Sequence, residues 1–222
     1  MLVEVWSDLV CSWCYLGKRR LEQALEGFEH GDRVDVVWRS FELEPDAPTA
    51  PADLSSQLVA RYGMSARDVA ERNERMTALG AEAGLVYRLD IARLGNTFDA
   101  HRLVHMARRS GLQAEANERL LRAYFSEGQA ISDRDTLVEL AAEAGLDAER
   151  ARAALEDGSC AADVRDDERE AAELGITGVP FFVLHHRYAV SGAQPADLLL
   201  AALERAWADT MADAEGGEPA AH

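Results

Sequence analysis

Residues 8–15 read DLVCSWCY, two cysteines held apart by Ser12 and Trp13. Their setting decides how the chain is read. Upstream, LVEVWSD (2–8) alternates and is β-branched enough to predict a strand. Downstream, CSWCYLGKRRLEQALEGF (11–28) places Leu21, Ala24, Leu25 and Phe28 at i, i+3, i+4 and i+7, the period of an amphipathic helix. Gly31 and Asp32 then break the chain before RVDVVWRSFEL (33–43), a second strand. Strand, helix and strand in so short a span form a βαβ unit with a parallel pair, and Cys11 falls in the turn where the first strand hands over to the helix.

A thiol attacks only as its thiolate. At a helix N-terminus that anion meets unpaired amide N–H groups and the positive end of the helix dipole. Cys11 occupies that position and is the candidate nucleophile. Cys14 lies one turn further in, on the same face, where it is expected to be more buried and less acidic, and is the candidate resolving thiol. Exchange between them runs through a mixed disulfide with the substrate. A metal clip is the competing reading, but zinc takes four ligands. The chain offers one C-x-x-C, a distant Cys160, and HRLVH, whose His101 and His105 flank Arg102 where a zincin carries its Glu. No metal is expected, and no cofactor beyond the redox-active disulfide, with glutathione a possible co-reactant. Inert packing of both thiols is the blander alternative, and a strand-to-helix turn suits it less well than exchange.

The chain has 222 residues, 48 % apolar and 28 % charged, a balance that suits one globular core with a large insertion. Its net charge of -17 is spread without any Lys/Arg stretch free of carboxylates, so nucleic acid is not an expected partner. MLVEVWSDLV lacks the basic and long apolar regions of a secretory signal, and no run approaches the roughly 18 apolar residues of a membrane span. Three cysteines, an odd number, do not suggest a secreted disulfide framework. The expectation is a soluble, cytoplasmic protein with no membrane partner. Its oligomeric state is left open.

Beyond the loop EPDAPTAP (44–51) the texture turns helical. Helices are predicted over 52–63, 65–84, 96–111, 113–128, 133–145, 147–158 and 160–175, each closing near a glycine. Strand texture returns in VPFFVLHHRYAVSG (179–192), a hairpin with His185 and His186 in its link, followed by an amphipathic helix over 193–210. The acidic run DVRDDEREAAE (163–173) reads as a solvated helix face, and Cys160 as a quiet small hydrophobe at a helix start. The boundaries that follow are 1–45 and 175–211 for the two halves of the sheet domain, 46–174 for the helical insertion, and 212–222 for a flexible tail.

Three segments, VWSDLVCSWCYLGKRRLE (5–22), GNTFDAHRLVHMA (95–107) and GITGVPFFVL (175–184) with YAVSGAQP (188–195), together resemble the DsbA-like thioredoxin-fold oxidoreductases, most of all the FrnE-like cytoplasmic branch. The resemblance covers nearly the whole chain. It implies an α/β thioredoxin-like fold (βαβ … ββα) with a large inserted all-α domain, and a protein disulfide oxidoreductase or isomerase acting on a disulfide- or thiol-containing protein or small molecule, recycled by a cellular thiol reductant. It also implies a cis peptide at Val179–Pro180 opposite the cysteines. There Val179 offers main-chain N–H and C=O to an extended substrate, with Ser12 and Trp13 alongside. Asn96, Phe98 and His101 match the helical-domain motif and read either as cleft residues or, respectively, as a helix cap, a core ring and a satisfied interior histidine. Related superfamily members are 2-hydroxychromene-2-carboxylate isomerases and kappa-class glutathione transferases. The alternative function is therefore a glutathione-dependent isomerase or transferase acting on an aromatic or polyketide-like compound.

Overall fold

The structure is a computed structural model that describes residues 1–216. The chain opens with β1 (Leu2–Ser7), α1 (Ser12–Gly27), a 3₁₀ turn at Gly31–Arg33 and β2 (Asp35–Ser40). A two-residue strand β3 (Ala52–Asp53) leads into α2 (Leu54–Tyr62) and α3 (Ala66–Glu82), and its partner β4 (Arg93–Leu94) precedes α4 (Phe98–Arg109). The helical stretch continues through α5 (Gln113–Glu127), α6 (Arg134–Glu143), α7 (Ala148–Asp157) and α8 (Ala161–Glu173). β5 (Phe181–Leu184), β6 (Tyr188–Ser191) and α9 (Ala196–Gly216) close the chain. None of the described helices is long and apolar enough to cross a membrane.

The main sheet has the order β2-β1-β5-β6. β1 runs parallel to β2 and antiparallel to β5, with Val5 opposite both Trp38 and Phe182. The two ends of the chain thus share one sheet, a thioredoxin-like fold interrupted by helices. The β5–β6 hairpin turns through a three-residue link, 185–187, with His185 and His186 at φ 51° and 54° and the Arg187 N–H donating to the Leu184 carbonyl at 3.0 Å.

Alternation along β1 divides the sheet into two faces. Val3 and Val5 belong to the main core, which also includes Leu16 and Leu21 of α1 and Leu199 and Leu203 of α9. On the other face Trp6 packs with Ala171 and Ile176, and its indole N–H donates to the Asp167 carbonyl at 3.0 Å. A helix whose sequence groups it with the insertion, α8, therefore covers one side of the sheet. An ionic lock fixes it there. Arg39 of β2 bonds the carboxylates of Glu4 and Asp167, and the second Asp167 oxygen accepts the Ser40 N–H at 2.8 Å and faces His105 Nε2 at 2.9 Å. Burial opposes ionisation of Asp167, but the His105, Ser40 and Arg39 contacts outweigh it and hold its carboxyl below the ordinary value.

The start of α2 and the end of the closing helix depart from the sequence reading. The helix predicted over 52–63 begins two residues late because Ala52 and Asp53 pair with Leu94 and Arg93, and Asp53 then caps α2 by accepting the Ser56 N–H at 2.7 Å. A strand of two residues has no period to read. The closing helix runs to Gly216 rather than stopping at Thr210, which takes in the first part of the predicted tail; 217–222 lie outside the described residues.

The first helix is fastened to the insertion by rings and charges. Tyr15 lies 5.9 Å from Phe125 and 6.0 Å from Tyr87, and Tyr87 stands edge-on to Phe125 at 5.2 Å. Lys18, buried, reaches the carboxylates of Glu22 and Glu118. Gly80 of α3 leaves room for Tyr87, since a Cβ there would meet the ring's Cδ2 at 2.4 Å. Alanine favours a helix interior over glycine by about 1 kcal/mol, yet here it would push the ring out. Gly80→Ala is expected to lower the urea midpoint against that propensity gain; a raised midpoint would show that Tyr87 moves freely.

Candidate functional site

Cys11 is the N-cap of α1, with φ -90° and ψ 111°, and its side chain makes no cap bond. Its carbonyl accepts the N–H groups of Cys14 at 2.9 Å and Tyr15 at 3.3 Å, so the backbone starts the helix and leaves the sulfur available for chemistry. Sγ of Cys11 lies 3.7 Å from the Val179 carbonyl oxygen. Cys14 is fully interior at 1 % exposure, whereas Cys11 keeps 7 %, and both are free thiols.

The pair is electrically unequal. A hydrogen bond from the Cys14 thiol lowers the Cys11 pKa, helped by the main-chain N–H groups of Cys14 and Trp13; burial and the Asp8 charge oppose this but do not prevail. Burial pushes the Cys14 thiol well above its ordinary value, and its bond to Cys11 adds to the rise. At neutral pH the outer sulfur carries the larger thiolate fraction and the inner one keeps its proton.

Across from the cysteines the Val179–Pro180 peptide bond is cis, and the Pro180 carbonyl accepts the Gly192 N–H at 2.8 Å. The loop reaches α1 because residue 17 is glycine: a Cβ at that position would sit 2.8 Å from Pro180 Cγ and 3.3 Å from Phe182 Cζ. Val179 is half-buried. Trp13 is 42 % exposed and rims a concavity with Met64, Arg72, Arg75 and Met76. Ser12 departs from the predicted substrate contact. It is buried, and its carbonyl accepts the Tyr87 hydroxyl at 2.6 Å, which clamps the helix start instead of presenting it.

Of the three helical-domain candidates, His101 comes to the site. It is buried with Nε2 3.4 Å from Asp8 Oδ1, and Asp8 stands in the turn before Cys11. Asn96 does helix-capping work. Its Oδ1 accepts the Phe98 N–H at 2.9 Å, and its amide donates to Pro45 O at 2.9 Å and Glu42 Oε1 at 3.3 Å. Phe98 lies under the Arg165 guanidinium at 4.2 Å. Cys160 caps α8 at φ 61°, and burial raises its thiol. Among the described residues no group of three or more His, Cys, Asp or Glu side chains is placed to hold a metal ion.

Sequence reasoning passed over Asp8, Gly17 and Tyr87. Two of these carried a signal: a carboxylate inside the apolar run WSDLV, and a glycine in mid-helix, where it is destabilising unless something must approach closely. Tyr87 has no local mark, because its partner is 75 residues away.

Fold and site together define a DsbA-like thioredoxin-fold protein. The chain belongs to the DSBA-like thioredoxin domain family, whose profile matches residues 2–204. It is 47 % identical to the probable DsbA oxidoreductase SCO1869 from Streptomyces coelicolor, with a TM-score of 0.90 over 94 % of this chain and 90 % of that one. The uncharacterized protein YwbO of Bacillus subtilis is 32 % identical over 189 residues, 82 % of this chain and 86 % of its own length. The cytosolic disulfide reductase DsbM from Pseudomonas aeruginosa, in a structure with GSH, shares the fold at 24 % identity and a TM-score of 0.65, over 94 % of this chain and all (100 %) of that one.

Two outcomes follow for the reduced protein. Iodoacetamide is expected to modify Cys11 before Cys14, with a pH midpoint below the value of about 8.5 for a free thiol. Peptide mapping across a pH series checks this, and equal, slow labelling of both would contradict the asymmetry. Gly17→Ala should push the Val179–Pro180 loop off α1 and change the pH midpoint of Cys11 alkylation, which the same pH series checks; an unchanged midpoint would show that the loop gives way freely.

Proposed function

We propose that the protein is a thiol–disulfide oxidoreductase or isomerase that works through Cys11 and Cys14. The observation that carries this reading is the Cys11 sulfur itself: seated at the opening of α1, one helical turn from Cys14, and 3.7 Å from the main chain of the proline loop. Cys11 attacks a substrate disulfide, one substrate thiolate leaves, and a mixed disulfide forms. Cys14 then attacks Cys11 and releases the second thiolate. Val179 supplies main-chain hydrogen bonds to an extended substrate, as added strands do elsewhere, and Trp13 gives it an apolar rim.

The substrate class is a disulfide- or thiol-bearing protein or small molecule, and a cellular thiol returns the pair to its reduced form. Glutathione is the candidate for that thiol, because the DsbM structure of the same fold was obtained with GSH. A cytoplasmic, FrnE-like setting accords with three free cysteines, an odd number.

A glutathione-dependent isomerase or transferase would need only one activating group at position 11. Cys14 stands one helical turn from Cys11 as a second thiol and lowers its pKa, which favours exchange. The decisive comparison uses Cys11→Ser and Cys14→Ser with a fluorescent disulfide substrate. Cys11→Ser is expected to lose turnover, and Cys14→Ser to accumulate a mixed disulfide visible by intact mass. If Cys14→Ser keeps full activity that requires glutathione, the isomerase or transferase reading replaces this one.

A further inference from the structure

Two hollows of about 320 Å³ each adjoin the reactive turn. One holds Trp13, Met64, Arg72 and Arg75. The other is mainly apolar, lined by Val10, Leu43, Leu54, Leu58 and Leu94. They share Met64 and Arg72, so the two run into one another as a single groove. Val10 and Trp13, one from each hollow, bracket Cys11 in the chain, which sets the groove beside the opening of α1. Two of its large apolar side chains stand in solvent, Trp13 at 42 % exposure and Leu43 at 44 %. Leu43 is also fixed in place, because its N–H donates to the buried Asp8 carboxylate at 2.8 Å. Apolar groups held rigid in solvent beside a reactive sulfur form a surface prepared for a partner.

The charge of the groove runs against that of the chain. With 40 Asp and Glu against 23 Lys and Arg, a guanidinium without a carboxylate is out of keeping with the composition. Among the described residues Arg75 has no ion-pair partner, and Arg72 donates to the neutral amide oxygen of Asn73 at 3.1 Å rather than to a carboxylate. The two carboxylates that line the same hollow are taken. Asp68 accepts the Ser65 N–H at 3.0 Å and its hydroxyl at 2.7 Å, closing the N-terminal capping box of α3, and Glu71 pairs with Arg67 at 2.7 Å. Glu44, which lines the apolar hollow, is engaged in an interaction of its own. Arg72 and Arg75 are one turn apart on the same face of α3, so both forks are offered to one ligand. A carboxylate is the group they fit.

We propose that this groove receives the polypeptide segment around a substrate cysteine, with an acidic side chain on Arg72 and Arg75 and an apolar one against Leu43 and Leu58. The assignment names the substrate class of the exchange reading and rests on that reading. A ligand that meets a cationic end and an apolar end at once, past a fixed sulfur, needs side chains of two kinds spaced along one backbone. An extended peptide supplies them. The net charge of -17 repels acidic segments from most of the surface, so the two arginines set the register of the segment more than its affinity.

The test uses short peptides joined through a single cysteine to a fluorescent thiol, and measures the second-order rate at which the reduced protein releases the fluorophore. One set carries Glu and Leu on opposite sides of the cysteine, in both orders; a second has Lys for Glu, and a third Ser for Leu. The better Glu peptide is expected to react at least about tenfold faster than its Lys counterpart at low salt, with the gap closing as salt rises. It should also outpace its Ser counterpart. The doubly substituted protein, Arg72→Glu with Arg75→Glu, should reverse the order and favour Lys, which damage to the fold would not do. Leu43→Ser should erase the advantage of Leu over Ser. Should the charge-reversed protein not fold, the wild-type ratios and their salt dependence decide the matter. Equal wild-type rates for the Glu and Lys peptides, an unchanged order in the folded charge-reversed protein, or oxidised glutathione reacting as fast as the best peptide would each overturn the assignment and leave the exchange reading standing. A wild type that reduces none of these disulfides would overturn both.

Discussion

The pairing of β1 with β5 holds the site together. It brings a strand from the start of the chain beside one from near its end, with Val5 opposite Phe182 and Trp6 opposite Phe181. Because Cys11 follows β1 by a short turn and Pro180 immediately precedes β5, that register puts the thiol and the proline loop at the same end of the sheet. A slip of one residue would turn Val3 and Val5 out of the core and carry the loop away from the sulfur. The reactive geometry is thus a product of sheet register, and the inserted helices hold the opening of α1 in place upon it.

Within that frame the two thiols differ because their surroundings differ. One sits at the helix opening, where amide N–H groups and a neighbouring S–H favour its anion. The other is sealed beneath it, where low polarity favours the neutral form. A single turn of helix separates them, so the inequality arises from depth as much as from sequence. The Asp8 charge works against the outer anion without prevailing.

Much of this was legible in the letters. The strand–helix–strand opening, the cysteine pair at the turn, the hairpin and the order of helices all rest on local periodicity and breaker residues, and those signals are strong where elements are long. Val179–Pro180 and His101 came from the likeness of three segments to a known family, not from periodicity. What stayed hidden depends on partners distant in sequence. Ala52–Asp53 forms a strand because Arg93–Leu94 is there, Ser12 is clamped because Tyr87 reaches it, and α8 belongs on the sheet because Trp6 and Arg39 receive it. The spacing of Asn96, Phe98 and His101 could not say which of them faces inward. Asn96 serves the backbone, Phe98 stacks under Arg165, and His101 turns toward Asp8.

The position of α8 on the second face of the sheet limits how the molecule can be dissected. A minimal thioredoxin made by joining β2 directly to β5 would strip the cover from Trp6 and leave Glu4 without the Asp167 half of its shared arginine clamp. The helical part is therefore not an accessory bolted to a self-sufficient unit. The segment carrying Asp167 and Ala171 serves the sheet as its outer wall, so any shortened form of the chain must keep it.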